Sequence, residues 1–119
     1  MNFYEYQEEA KRTCADLGQP EDNIHMIMGM MTELGELMDC FKKNLAYGKE
    51  IDWVNVDEEG GDLTWYFANF CRLNGIDFYA MIERNINKLR VRYPEKFTED
   101  NANNRNLQAE RKVLEKPNS

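Results

Sequence analysis

The sequence predicts an all-α fold, a bundle of four to five helices that is completed by oligomerisation. Three observations favour this fold: apolar residues recur at helical spacing, Gly and Pro separate the helical stretches, and alternating strand patterns are missing from the sequence. The chain has 119 residues, which corresponds to one domain of ordinary size. A chain this short can bury a real core, and a self-associating surface would add to that core.

Helix boundaries are predicted from capping and helix-breaking residues. Acids at positions 21 and 22 favour a helix N-terminus, and glycines at positions 48 and 75 favour helix ends. The expected helices cover about residues 3–16, 21–45, 52–74, 78–93 and 103–115. We expect a helical domain over residues 1–97 and a polar, partly helical extension over residues 98–119, frayed from Lys116 onward.

Charge and cysteine content narrow the possible classes of protein and partner. The net charge of −7 argues against nucleic acid as a partner, because phosphate tracking needs a basic face. This negative charge is still compatible with a small phosphate ligand that is held through metal ions. Three widely spaced cysteines suggest neither a disulfide framework nor a zinc site, and we expect Cys40 and Cys71 to be core thiols in a reducing cytoplasm. The N-terminus is too polar for a signal peptide, and no apolar run approaches the roughly 18 residues of a membrane span.

The third predicted helix carries acids on its apolar face. At about 100° per residue, Glu59 and Asp62 fall within the apolar stripe of that helix, one turn toward its N-terminus. The apolar members of the stripe are Leu63, Tyr66, Phe70 and Leu73. Two carboxylates therefore lie on the face of this helix that is expected to pack against the rest of the protein.

The second predicted helix has two distinct faces. Its main apolar stripe consists of Ile27, Met30, Met31, Leu34, Met38, Phe41 and Leu45. Glu33 and Glu36 lie on the other face, which they share with Met26, Gly29 and Cys40. A face that mixes acids with apolar and small residues differs from an ordinary solvated face.

The acids thus form two Glu-x-x-(Glu/Asp) pairs on consecutive helices. Residues three apart lie on one side of a helix, about 5–6 Å apart at Cβ, so two facing pairs would form a cluster of four carboxylates. Such a cluster would repel itself unless a hard cation such as Mg²⁺ were bound. Solvated glutamates at this spacing are common, and acids also offset a helix dipole, so the pairs alone leave these interpretations open.

The segment TELGELMDCFKK, followed by VDEEGGDLTWYF, resembles the MazG-like all-α nucleoside triphosphate pyrophosphohydrolases. Their motif is Glu-Glu-x-x-Glu on one helix and Glu-x-x-Asp on the next. The later segment NINKLRVRYPEKF is similar to the family's Asn-x-x-Lys-Leu…Arg-Tyr-Pro…Phe segment. The ordered correspondence covers about residues 20–100 and is closest to the short, single-domain proteins of phages and bacteria.

The resemblance implies metal-binding and catalytic roles for four acids: Glu33, Glu36, Glu59 and Asp62. Thr32 departs from the motif, because the family's first glutamate falls at this position. The matched positions also imply that Tyr66 contacts the sugar or base and that Asn85 and Lys88 face the substrate. Arg92 lies on the same side of its helix as Asn85 and could add positive charge, although basic residues in a last turn also offset the helix dipole.

The implied reaction is Mg²⁺-dependent hydrolysis of an NTP or dNTP, with Mn²⁺ as a possible substitute. Water would attack the α-phosphorus, leaving the monophosphate and pyrophosphate. The implied partners are a small-molecule nucleoside triphosphate and further copies of the chain, in a homodimer or homotetramer, with no membrane partner. The alternative is a non-catalytic helical protein that binds a nucleotide or a partner and keeps the acids as a structural metal site.

Overall fold

The computed structural model describes residues 1–116, and this part of the chain is helical without strands, as the sequence predicts. Its helices are α1 (Phe3–Lys11), α2 (Glu21–Tyr47), α3 (Trp53–Leu73), α4 (Phe78–Arg92), α5 (Glu99–Asn103) and α6 (Leu107–Glu115). The chain divides into two compact units, Met1–Ile76 with α1 to α3 and Asp77–Ser119 with α4 to α6. Most of the expected frayed tail, residues 117–119, lies outside the described residues.

The ends of α2, α3 and α4 are set by local capping. The Asp52 carboxylate accepts hydrogen bonds from the backbone N–H groups of residues 54 and 55, and the Asp77 carboxylate accepts one from that of residue 80. Gly48 ends α2 in the left-handed region at φ 65°, and Gly75 follows α3 at φ 63°. These ends lie within two residues of the predicted positions.

In the first unit, α3 packs against both α1 and α2. The Gln7 side chain donates to the carbonyl of Ala68 at 3.1 Å, and the indole N–H of Trp65 donates to the Thr13 hydroxyl at 3.0 Å. The largest fully buried side chains described are Met26, Asn69 and Cys71. Helix α3 is therefore the element that positions the rest of this unit.

Helix α2 uses its mixed face in this packing. Met26, Gly29 and Cys40 are buried, whereas most members of the main apolar stripe are exposed. The acids on the mixed face are consequently directed toward α3 rather than away from the unit. Cys40 and Cys71 are buried free thiols, as predicted.

The first helix is shorter than predicted. It ends at Lys11 rather than at Asp16, and turn hydrogen bonds replace helical ones from Arg12 to Cys14. The buried carboxylate of Asp22 accepts from the backbone N–H of Leu17 at 2.9 Å, which holds the connection against the start of α2. These turn hydrogen bonds and the bond to Asp22 take the place of the last predicted turn of the helix.

In the second unit, the helix predicted over residues 103–115 begins at Leu107 as α6, and the short helix α5 precedes it in a segment for which no helix was predicted. The Asn106 side chain caps α6 by accepting from the backbone N–H of residue 109 at 3.1 Å. Glu110 is buried on α6 and accepts hydrogen bonds from Arg92 at 2.6 Å and from Arg105 at 3.0 Å. The guanidinium groups of Arg105 and Arg92 lower the pKa of Glu110 to about 2.

Hydropathy along the helices gives no membrane-spanning segment. Across residues 1–116, every helix is either too short or too polar to cross a bilayer.

Candidate metal centre

Three carboxylates converge between α2 and α3. Glu33 on α2 and both Glu59 and Asp62 on α3 each offer one oxygen, and these oxygens lie within 4.8 Å of one another. The convergence follows from the two i,i+3 spacings, because each pair occupies one side of its helix and the two sides face each other. The predicted pairs are thus brought together across the helix interface.

A glycine on α2 allows α3 to approach closely beside the acids. Gly29 is buried, and a Cβ at this position would overlap the ring of Tyr66 on α3. Gly29 lies one turn before Glu33, and Tyr66 lies one turn after Asp62. The close approach of the two helices therefore occurs one turn away from the carboxylates and fixes their separation.

The carboxylates perturb one another strongly. Glu59 is only 5% exposed, and hydrogen bonding with Glu33 together with burial raises the pKa of Glu59. The Glu59 carboxyl likewise raises the pKa of Glu36, through a hydrogen bond and through its charge. Glu36 is exposed, so it lies at the outer edge of the cluster. All four predicted acids therefore belong to one electrostatic group.

Two oxygens of the cluster lack protein partners. Within residues 1–116, Glu33 Oε2 and Glu59 Oε2 are buried and have no hydrogen-bond partner. Buried carboxylate oxygens are normally satisfied, so two unpartnered oxygens in one cluster leave room for an additional positive group. A hard divalent cation fits this donor set, because Mg²⁺ and Mn²⁺ prefer carboxylate oxygens.

Other residues around the cluster form its surroundings. The Tyr66 ring packs edge-to-face against Trp65 at 4.9 Å and lies 6.1 Å from the His25 ring. Burial and the charge of the Asp62 carboxylate raise the pKa of Tyr6 on α1. The hydroxyl of Thr32, where the motif has a glutamate, donates to the carbonyl of Gly29 at 3.0 Å.

Sequence reasoning missed Tyr6 entirely. It lies on α1, outside the motif, and only the packing of α1 on α3 brings it near Asp62. His25 lies outside the motif as well, and its Nδ1 is buried without a hydrogen-bond partner in the described part of the chain. The only signal for Tyr6 in the sequence is the pattern of aromatic residues on the first helix.

The remaining predicted residues lie on α4 in the second unit. Asn85 is exposed and Lys88 is half-buried. Arg92 is ion-paired with Glu110, which leaves its charge engaged within the unit. Their approach to a substrate stays a prediction.

The comparisons with known proteins give one match. The family model of the MazG nucleotide pyrophosphohydrolase domain matches residues 21–97, which includes both acidic pairs and the α4 residues. No curated protein and no solved structure matches the chain.

Proposed function

We propose that this chain, which belongs to the MazG nucleotide pyrophosphohydrolase family, hydrolyses an NTP or dNTP to the monophosphate and pyrophosphate. The observation that carries the proposal is the convergence of Glu33, Glu59 and Asp62, with two buried oxygens that lack protein partners. The family match supports nucleotide pyrophosphohydrolase activity in general. We further propose that water attacks the α-phosphorus and that a divalent cation takes part.

The cation that we propose is Mg²⁺, for which Mn²⁺ can substitute, held by Glu33, Glu36, Glu59 and Asp62. When bound, it would supply positive charge to triphosphate oxygens and neutralise the charge that develops during phosphoryl transfer. The carboxylates also offer oxygens that can accept a proton. One of these carboxylates accepts a proton from the water that attacks the α-phosphorus.

Substrate contacts are proposed for residues on α3 and on α4. Tyr66 would contact the sugar or base, since its ring lies one turn from Asp62. Asn85 and Lys88 would bind the triphosphate, with Lys88 supplying positive charge. Arg92 is a weaker candidate than Lys88, because Glu110 already neutralises its guanidinium.

The proposed setting is a cytoplasmic homodimer or homotetramer that acts on free nucleotides rather than on nucleic acid. The net charge of −7 supports a small-molecule substrate over a phosphate backbone. The buried free thiols Cys40 and Cys71 support a reducing compartment.

One observation favours a second candidate function. Thr32 stands where the family motif has a glutamate, and its hydroxyl is engaged by the backbone of α2. If that glutamate were required for turnover, the chain would bind a nucleotide or a partner without hydrolysis, and the acids would hold a structural metal.

Pyrophosphate release from a panel of NTPs and dNTPs, with and without Mg²⁺, tests the proposal. We expect Mg²⁺-dependent release from at least one nucleotide, and we expect Asp62→Asn to abolish it. Asp57→Asn is the matched control, because Asp57 is an exposed acid on the same helix and outside the cluster. Nucleotide binding by calorimetry without any release would favour the non-catalytic alternative.

A further inference from the structure

A pair of side-chain amides joins the start of α2 to the end of α3. Asn23 Nδ2 donates to Asn74 Oδ1 at 2.9 Å, and Asn74 Nδ2 donates back to Asn23 Oδ1 at 2.7 Å. Asn74 Nδ2 also donates to the carbonyl of Phe70 at 2.8 Å, which fixes the orientation of its amide. Both polar atoms of the Asn74 side chain are therefore engaged, and two of its hydrogen bonds connect the two helices.

The residue after Asn74 makes this amide chemically special. Gly75 follows it, and this is the only Asn-Gly step in the sequence. Because glycine has no side chain, its backbone nitrogen can come close to the side chain of the preceding residue. The Gly75 N–H makes only a long hydrogen bond of 3.4 Å to the carbonyl of Arg72, and Asn74 and Gly75 are both exposed to water. The Gly75 nitrogen is thus an available nucleophile beside the Asn74 amide carbon.

The reaction that this step permits needs no reactant other than water. The Gly75 nitrogen forms a bond to Asn74 Cγ and the Cγ–Nδ2 bond breaks, so ammonia leaves with the proton of the Gly75 N–H. The five-membered succinimide that results is then opened by water, which adds OH to one of its two carbonyl carbons and H to the nitrogen. The product is an aspartate, or an isoaspartate whose main chain runs through Cγ. Either product carries one additional negative charge.

The folded chain restrains this reaction. Ring closure requires the Gly75 nitrogen to eclipse Cβ of Asn74 about the Cα–C bond, and at the ψ of 8° that Asn74 adopts the two atoms are far from eclipsed. The turn that must open is held by the Ile76 N–H, which donates to the carbonyl of Cys71 at 2.9 Å. The amide pair opposes the same opening, because the leaving nitrogen is bound to Asn23. The reaction rate therefore depends on local opening at the end of α3.

The product cannot rebuild the amide pair. A carboxylate has no N–H group, so the donations to Asn23 Oδ1 and to the carbonyl of Phe70 are both lost. A carboxylate oxygen would then face two acceptors, which is unfavourable. Deamidation therefore weakens the connection that had slowed it.

We propose that Asn74 is a site of spontaneous deamidation, that its amide pair with Asn23 slows the reaction in the folded chain, and that the product weakens the contact between α2 and α3 at this end. The site is separate from the acids, because Asn23 precedes Glu33 by ten residues, or about 15 Å at 1.5 Å per residue of helix. The proposal is independent of nucleotide hydrolysis, and its test requires no nucleotide.

Peptide mass spectrometry of the full chain, after incubation in mildly alkaline buffer, tests the proposal. Trypsin cleaves after Arg72 and Arg84, and the peptide 73–84 contains Asn74 as its only side-chain amide. A mass gain from the replacement of NH₂ by OH in this peptide therefore reports Asn74 alone. The wild type should react more slowly when folded than when unfolded in urea. Folded Asn23→Ala should react about three- to tenfold faster than the folded wild type, because two hydrogen bonds no longer oppose opening.

Asn44→Ala is the matched control for general destabilisation. Asn44 lies near the opposite end of α2, where its Nδ2 donates to the carbonyl of Lys49 at 2.8 Å, so this variant also loses an amide hydrogen bond at a helix end. We expect it to leave the rate at Asn74 unchanged.

The effect of the product is measured on the wild type itself. Anion exchange separates the deamidated chains by their added charge, and they should melt at a lower temperature than the unreacted chains of the same sample. Equal rates in the folded and the urea-unfolded wild type, equal rates in Asn23→Ala and Asn44→Ala, or equal melting temperatures of the two fractions would overturn the proposal.

Discussion

The close approach of α2 and α3 at Gly29 can be tested by adding one methyl group. In Gly29→Ala the new Cβ overlaps the Tyr66 ring, so the ring or the helix must move. Overpacking of this kind costs about 1–3 kcal/mol in free energy of unfolding. Alanine is also a better helix former than glycine by about 1 kcal/mol, so the net destabilisation should be about 0–2 kcal/mol.

Gly61→Ala is the control that separates the cost of overpacking from the gain in helix propensity. Gly61 lies in the middle of α3, is exposed, and a Cβ there meets nothing within 4 Å. This variant should gain up to about 1 kcal/mol from helix propensity alone. Gly29→Ala should therefore be less stable than Gly61→Ala by about 1–3 kcal/mol. Urea denaturation at one fixed protein concentration measures both, because association would otherwise shift the midpoints.

A double-mutant cycle identifies the partner of the added methyl group. In a Tyr66→Ala background the obstruction is gone, so Gly29→Ala should become stabilising by about 1 kcal/mol. The structural reasoning is refuted if Gly29→Ala equals Gly61→Ala in stability, or if its effect is the same with and without the Tyr66 ring. Either result would mean that the two helices are not in close contact at this point.

Three further predictions follow from the charges. Glu59→Gln should lose nearly all hydrolysis yet, without metal, melt at or above the wild type. The change removes a buried negative charge at a position where hydrogen bonding with Glu33 and burial raise the pKa of the carboxyl group. Millimolar Mg²⁺ should raise the melting temperature of the wild type and have less effect on the variant. Lys88→Ala should weaken the binding of a non-hydrolysable triphosphate and leave the affinity for Mn²⁺ unchanged, whereas Glu36→Gln should weaken Mn²⁺ binding before nucleotide binding. Calorimetric titrations with Mn²⁺ and with the nucleotide measure both affinities. If Lys88→Ala lost Mn²⁺ binding and kept nucleotide binding, Lys88 would instead be an ion-pair partner that holds the acidic cluster together. The pKa of Glu110 is lowered to about 2 from 4.5, so its ion pairs stabilise the folded state above pH 4.5 and this stability is lost as the pH falls toward 2. In Glu110→Gln the free energy of unfolding should therefore decrease less between pH 4.5 and pH 2 than in the wild type. An unchanged dependence of the unfolding free energy on pH in this range would contradict the assignment.

The parts of the fold that were predictable are those encoded locally. Helix ends at Gly48, Asp52 and Asp77 follow from capping chemistry, which depends on neighbours in sequence. The i,i+3 spacing of the acids also fixes which side of a helix they share. For the same reason, the two acidic pairs on consecutive helices indicated a cluster of carboxylates, whereas the cation and its ligands were predicted with the help of the family resemblance.

The parts that were not predictable depend on distant contacts. Helix α1 stops early because its C-terminal connection is held by tertiary hydrogen bonds, including the one from Trp65 to Thr13. The break between α5 and α6 lies beside Arg105, which reaches forward to the buried carboxylate of Glu110. The electrostatic effect of Asp62 on Tyr6 could not be predicted from helical periodicity, because α1 and α3 are far apart in sequence and α1 carries no part of the acidic motif.

The site of water attack tests the central claim most directly. Hydrolysis in ¹⁸O-enriched water, with the substrate that the nucleotide panel identifies, should place the label in the nucleoside monophosphate and leave the pyrophosphate unlabelled, as read by mass spectrometry. This result is expected when water attacks the α-phosphorus. Label in the pyrophosphate, or release of orthophosphate with a nucleoside diphosphate, would contradict the proposed reaction.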